Sequence, residues 1–447
     1  MRLCNSLSSV LAFSLSAALS CGSDAGQQAS WRDPLTAAVD ESGSAPGPNV
    51  ASSGTDGEMP GPASAEGTAG GSETGPVVLA PLAAPPASSA AAAPAGDLPG
   101  AEPPAGAPDT PELPASNTDT APRVGPEPDP AQLAVCAGTD PISCHFGGPP
   151  GNYFVTVVLG GDVAASTQVL AETRRSILAP VATAAGQTRR FSFGVNVRQP
   201  EGEPLQDVPA GTAGLDLYFR GSDGLAPALN GIGHARAAAP FMIYVAGDST
   251  VADQTGIDYG GWAQQLPRYF DYPVSVANYA DSGESSGSFL NARPLFGAIE
   301  AQLLPNDYVL IQFGHNDKTV TAAQFHDNLT RLVTQVKAQR ALPVLLSPVA
   351  RAQFTAGKVA RQHVNSTGAD LPAIVAQVSS EQNVPFLDLT ARTSVWLSEL
   401  GPNGWQPFHA LGTDVTHTND AGAAVEAGFV RDLIVQAQLT SLTSHLR

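Results

Sequence analysis

The chain has 447 residues, among them 45 glycines and 39 prolines, and a formal net charge of −19. So acidic a balance argues against nucleic acid or an anionic membrane surface as a partner. The length allows two or three domains, and Gly and Pro are concentrated in the first third of the chain.

Residues 1–21 read as a signal peptide: a basic Arg2, a moderately apolar core, then small residues. The end of this stretch, Leu19-Ser20-Cys21, resembles a bacterial lipobox, with Ala18 where leucine is usual. The resemblance implies a lipidated Cys21 and an outer-membrane or cell-surface location. Cleavage after Ala18-Leu19-Ser20, giving a secreted protein, is the alternative. No later stretch has the roughly eighteen apolar residues of a spanning helix. Residues 22–130 are Ala, Pro, Gly, Ser and Thr with scattered acids, as in Leu79-Ala-Pro-Leu-Ala-Ala-Pro-Pro86. Such a composition buries too little apolar surface to offset chain entropy, so a disordered tether is expected.

Residues 131–236 change character. Asn152–Leu159, Arg190–Val197 and Leu215–Arg220 are β-rich runs separated by turn signals such as Gly160-Gly-Asp162 and Gly221-Ser-Asp-Gly224. Short strands without helical periodicity predict a small β-sandwich. The block resembles the galactose-binding-like jelly rolls that precede some carbohydrate esterases, which implies either a sugar-binding or a bracing role. Cys136 and Cys144 are the only cysteines beyond the leader, and in an exported protein a disulfide between them is expected.

In residues 240–447 apolar runs alternate with helical stretches. The expected strands are Phe241–Ala246, Val274–Tyr279, Tyr308–Phe313, Pro343–Ser347 and Pro385–Leu389. In residues 323–337, Phe325, Leu329, Leu332, Val333 and Val336 recur at helical spacing. This alternation predicts a parallel sheet covered on both faces, with reactive groups at the carboxyl ends of its strands. Gly247-Asp-Ser249, Asn278-Tyr-Ala-Asp-Ser-Gly283 and Gly314-His-Asn-Asp317 follow the first three strands, and Asp414-Val-Thr-His417-Thr-Asn419 precedes the last helix. Singly, each reads as a turn or a helix cap. Together they hold a nucleophile, a base with a carboxylate three residues away, and oxyanion donors. A competing pattern, Gly283-Glu-Ser-Ser-Gly287, fits the nucleophile elbow of α/β-hydrolases and would make Ser285 the nucleophile. Asp248 either holds its own turn or contacts a neighbouring loop. His326 and His363 read as solvated. His315, His409 and His417 have no metal-ligand spacing, so neither metal nor cofactor is expected. The sequons at Asn328 and Asn365 read as chance.

The four blocks, in this order, resemble those of SGNH (GDSL-like) hydrolases. The fuller text, Ala246-Gly-Asp-Ser-Thr-Val-Ala-Asp253, Tyr259-Gly-Gly-Trp262 and Ile311-Gln-Phe-Gly-His-Asn-Asp317, is similar to the rhamnogalacturonan acetylesterases of carbohydrate esterase family 12. The resemblance implies a flavodoxin-like three-layer α/β/α domain. It also implies Ser249, His417 and Asp414 as catalytic triad, with Ser249, Gly283 and Asn316 as the oxyanion hole. The implied substrate is an acetylated pectic polysaccharide. Family members often carry arginine where this chain has Ser286-Gly287-Ser288, which leaves substrate contacts there open. An esterase or lipase for other acyl esters and a surface carbohydrate-binding protein are the alternatives.

Overall fold

The computed structural model describes residues 125–205 and 211–447. The expected signal peptide, Cys21 and nearly all of the expected tether lie outside them. Residues 125–129, expected as the end of the tether, lie against the first sheets. The Asp129 N–H donates to the Ile232 carbonyl, and Arg190 pairs with Glu127 at 2.9 Å.

A short helix α1 (Pro130–Leu133) leads into seven strands: β1 (Ile142–Gly147), β2 (Gly151–Gly161), β3 (Ala165–Ala171), β4 (Arg175–Thr183), β5 (Gln187–Val197), β6 (Gly214–Gly221) and β7 (Leu229–Arg236). They form a four-stranded sheet in the order β1-β6-β3-β4 and a three-stranded sheet in the order β5-β2-β7, with every pairing antiparallel. Inward residues of both sheets, including Val155, Val157, Phe193, Val195, Leu217 and Phe219, share one apolar core. Such burial is the main favourable term of folding. Cys136 and Cys144 are joined by a disulfide at the edge of that core. Strands β2, β5 and β6 fall on the three expected runs. Strand β3 has no alternation to read, because six of its seven residues are buried.

The second half contains β8 (Phe241–Ala246), helix α2 (Trp262–Gln265), β9 (Val274–Asn278), α3 (Ser286–Asn291), α4 (Phe296–Glu300), β10 (Tyr308–Gln312), α5 (Ala322–Ala338) and β11 (Leu342–Leu346). A two-residue hairpin pair follows, β12 (Phe354–Thr355) and β13 (Lys358–Val359). Then come α6 (Leu371–Gln382), β14 (Phe386–Leu387), α7 (Leu389–Leu400), α8 (Asp420–Gln436) and α9 (Thr440–Thr443). Five strands make a parallel sheet in the order β14-β11-β10-β8-β9. Successive side chains of a strand face opposite sides. Met242, Tyr244 and Ala246 therefore join the core under α3, α4, α5 and α6, while Ile243 and Val245 join the core under α2 and α8. Helix α5 covers the run expected from its apolar spacing, and starts at a capping box in which Thr321 and Gln324 cap each other. The last strand is shorter than expected. It stops at Leu387 because the Asp388 carboxylate accepts the Ala391 N–H and starts α7.

Strand β9 is an edge of this sheet, and β5 lies against it. A Cβ on Gly194 would sit 2.3 Å from the Val274 carbonyl oxygen, so only glycine permits this approach. The strand order reverses at β8, between β9 and β10. In open α/β sheets that switch point, at the carboxyl ends, is where ligands bind.

Candidate active site

The loops after β8, β9 and β10 converge at the switch point. Ser249 lies in the turn after β8, and its Oγ is 2.8 Å from His417 Nε2. His417 Nδ1 is 2.8 Å from Asp414 Oδ2. Asp414 Oδ1 also accepts the backbone N–H groups of Thr416 at 2.7 Å and His417 at 3.0 Å. The i, i+3 spacing closes this loop on itself, so carboxylate and imidazole meet without a long-range constraint. Burial pushes the Asp414 carboxyl up, but its hydrogen bonds from the ring and backbone of His417 outweigh that and hold it below the ordinary range. An ionised carboxylate at Nδ1 requires the proton there, which leaves Nε2 as acceptor for the serine hydroxyl. The Tyr259 ring meets the imidazole edge-on, with centroids 5.8 Å apart.

Gly283 turns with φ +86°, in the left-handed region open to glycine. Among the described residues, neither its N–H nor that of Ser249 donates to a protein acceptor. Asn316 Nδ2 donates to the Glu284 carbonyl at 3.2 Å, which anchors the amide and leaves its second N–H free. Asn316 is thereby tied to the loop that carries Gly283.

A buried chain that sequence reading missed stands behind the nucleophile. Trp262 Nε1 donates to Gln312 Oε1, Gln312 Nε2 to Thr250 Oγ1, and Thr250 Oγ1 to Asp248 Oδ1, at 2.8, 2.9 and 2.7 Å. Thr250 N–H donates to the same Asp248 oxygen at 3.0 Å. Asp248 therefore holds its own turn, and burial raises its pKa. Asn278 Nδ2 donates to the Val251 carbonyl and to Asp253 Oδ1, both at 2.9 Å. The signal was present in the polar residues of otherwise apolar blocks, but their partners are distant in sequence.

Ser285 lies away from any histidine partner among the described residues. It N-caps α3, accepting the Ser288 N–H. Ser286 donates to Asp317 Oδ1 through its hydroxyl at 2.6 Å, and burial raises Asp317 to about 6. Gly287 faces Asn328. His363 is not solvated as expected. It is partly buried edge-on to the buried His315, with centroids 4.8 Å apart, and burial lowers its pKa to about 4. His326 pairs with Glu381 at 2.6 Å. The two sequon asparagines hold structure: Asn328 donates to Ser286 Oγ, and Asn365 to the Asp317 and Val320 carbonyls. A cleft of about 410 Å³ opens beside Gly314, lined by Lys318, Arg351 and His363.

Residues 245–425 match the GDSL-like lipase/acylhydrolase family. The chain is 31% identical over 225 residues to the rhamnogalacturonan acetylesterase RhgT of Bacillus subtilis (strain 168), covering 46% of this chain and 94% of that protein. It is 27% identical over 195 residues to the probable rhamnogalacturonan acetylesterase YesY of the same organism, covering 40% and 86% of the two chains. A solved Bacillus subtilis structure, that of YxiM, is similar with 26% identity and a TM-score of 0.41, over 66% of this chain and 80% of the other. The chain belongs to the GDSL-like lipase/acylhydrolase family and is a carboxylic ester hydrolase of the SGNH type.

Proposed function

We propose that this esterase removes acetyl groups from a plant cell-wall polysaccharide, acetylated rhamnogalacturonan above all, through a Ser-His-Asp acyl-enzyme mechanism. The observation that carries the mechanism is the continuous relay from Ser249 through His417 to Asp414 beside two unused backbone N–H groups. The names of RhgT and YesY support the substrate.

Serine is a weak nucleophile until a base takes its proton. His417 Nε2 accepts that proton as Oγ attacks the acetyl carbonyl carbon. The carbonyl oxygen becomes an oxyanion, taken up by the N–H groups of Ser249 and Gly283 and the Asn316 amide. Asp414 holds the imidazole tautomer and stabilises the imidazolium. The imidazolium returns the proton to the departing sugar oxygen, the C–O bond breaks, and an acetyl-serine remains. Water then attacks with His417 again as base, releasing acetate and restoring Ser249.

In this reading residues 131–236 are a galactose-binding-like β-sandwich, supported by two antiparallel sheets that share one core. We further propose a lipid anchor at Cys21 that holds the enzyme at a bacterial surface, with residues 22–130 as tether. Metabolic labelling with a radiolabelled fatty acid tests the anchor: wild type should incorporate label and Cys21→Ser should not. The decisive experiment for activity is acetate release from a panel of acetylated polysaccharides. Wild type should favour acetylated pectin and Ser249→Ala should release none. A preference for long-chain over acetyl esters would make the enzyme a lipase.

A further inference from the structure

The loops of the candidate active site are held from outside the hydrolase half. The turn between β3 and β4 reaches into it. Arg174 Nη2 donates to the carbonyls of Gln254, Gly256 and Tyr259 at 3.0, 2.9 and 2.7 Å, and its Nη1 to Asp420 Oδ2 at 3.2 Å. One guanidinium thus fixes the loop that carries Tyr259 against the start of α8, directly after the His417 loop. Its fork puts one nitrogen on the carbonyls and the other on Asp420, a span that the single nitrogen of an ammonium does not cover. Gln254, held by Arg174 through its carbonyl, uses its own amide to donate to the Ser249 carbonyl at 2.7 Å and to Ser282 Oγ at 3.3 Å.

The segment after β5 reaches the other side of the site. Glu203 Oε2 accepts the Ser282 N–H at 2.5 Å, and the Leu205 N–H donates to Asp281 Oδ1 at 2.8 Å. The Asp281 N–H donates to the Gly247 carbonyl at 3.2 Å. Two successive N–H groups of the turn are therefore occupied, and the next, that of Gly283, is left to face the site.

We infer that Arg174 and Glu203 are positioning residues of the esterase centre: Glu203 aims the Gly283 N–H and Arg174 holds the Gln254–Tyr259 loop behind Ser249 and His417. The inference rests on the serine-esterase reading above. It makes the N-terminal half part of the apparatus that positions the site, whether or not its sheets also bind sugar. Neither residue touches the acyl group, so their loss should act on turnover rather than on affinity for a small ester.

The test uses the full-length protein and p-nitrophenyl acetate, an ester too small to need a polysaccharide cleft. Glu203→Ala and Arg174→Ala should each lower kcat by about 10- to 100-fold, the scale of a displacement of about 1 Å in a reacting group, with KM little changed. Glu203→Gln should recover most of the lost turnover, because its carboxamide oxygen still accepts the Ser282 N–H. A thermal melt accompanies each variant. Should Arg174→Ala fold poorly, the Glu203 pair carries the test alone. Wild-type kcat in Glu203→Ala overturns the inference. So does a loss confined to KM, which would make Glu203 a substrate contact, and so does a loss that Glu203→Gln does not recover. Ser249→Ala in the same assay keeps the two readings apart: if it retains wild-type turnover, the serine mechanism fails rather than the positioning role.

Discussion

The parallel sheet and the two antiparallel sheets bury their polar side chains differently. In the hydrolase half, strands β8 to β11 are apolar but for Ser275 until their carboxyl ends, where buried polar groups collect: Asp248, Thr250, Asn278, Gln312 and Asp317. They are tied by short hydrogen bonds, most of them between loops distant in sequence. The N-terminal sheets bury neutral polar groups such as Thr156, Ser166 and Asn196, but also a set of ionisable ones: Glu172, Arg175, Arg198, Glu201 and Asp216. Arg175 Nε pairs with Asp253 Oδ2 at 2.7 Å, and Arg198 stands 3.6 Å from the same oxygen. Among the described residues, Glu172 Oε2, Arg175 Nη2, Arg198 Nε and Glu201 Oε1 have no hydrogen-bond partner. Burial raises Glu172 to about 7 and Glu201 to about 8. The first region is a hydrogen-bonded network around Ser249, although Asp248 Oδ2 has no partner in it among the described residues. The second is a charged seam whose desolvation costs stability, which apolar residues of like volume would often spare. What the seam secures is register, since Asp253 also accepts Asn278 and so ties the loops after β8 and β9 together.

Four substitutions sharpen this contrast. Ser249→Ala should have the largest effect, roughly a 10⁶-fold loss of kcat by analogy with other serine hydrolases, read from acetate release. Asp414→Asn should cost up to about 10⁴-fold by stranding the wrong tautomer, somewhat less here because the carboxylate is partly open to water. Asn316→Ala should cost about 10²- to 10³-fold in kcat, the scale for one oxyanion donor, with KM on a small acetyl ester nearly unchanged. At the seam, Arg175→Met leaves Asp253 buried beside the more distant Arg198 alone. It should destabilise by about 3–5 kcal/mol in a denaturant titration. If stability were unchanged, the seam would be no tighter than a surface ion pair.

The smallest effect concerns pH. The Glu172 carboxyl is raised from 4.5 to about 7 in the folded state, chiefly by burial. The folded protein therefore keeps a proton that the unfolded chain loses first. This contribution to stability is complete below about pH 4.5 and is lost as pH rises through about 7. Glu172→Gln can keep the hydrogen bond from the Asp216 N–H. It should flatten the slope of Tm between those two pH values, and an unchanged slope would remove Glu172 as its source.

The parts of the fold that were legible are those where one local signal suffices. The parallel strands were readable because strands buried on both faces must be apolar throughout, as in Met242–Ala246 and Val309–Ile311. Helix α5 was readable because only one of its faces is covered. Strands β3 and β4 were not, since bulges interrupt their pairing and β3 is buried almost throughout. His363 was misread as solvated because nothing in its neighbours' identity reveals the cover provided by His315.

The family resemblance of the four blocks pointed to Ser249, Gly283, Asn316, Asp414 and His417 without any coordinates, and the structure brings Ser249, His417 and Asp414 within hydrogen-bond reach of one another. A reacting group must carry its chemistry in its own side chain, and a turn announces itself in Gly, Asp and Ser. What only the tertiary structure decided is who holds those groups still. Ser285 became a helix cap, Asp248 a turn clasp, and Arg174, Arg175 and Glu203 reached across from sheets that carry no reactive group. Positioning depends on distances of about 3 Å between residues tens of positions apart, and local sequence holds no record of such distances.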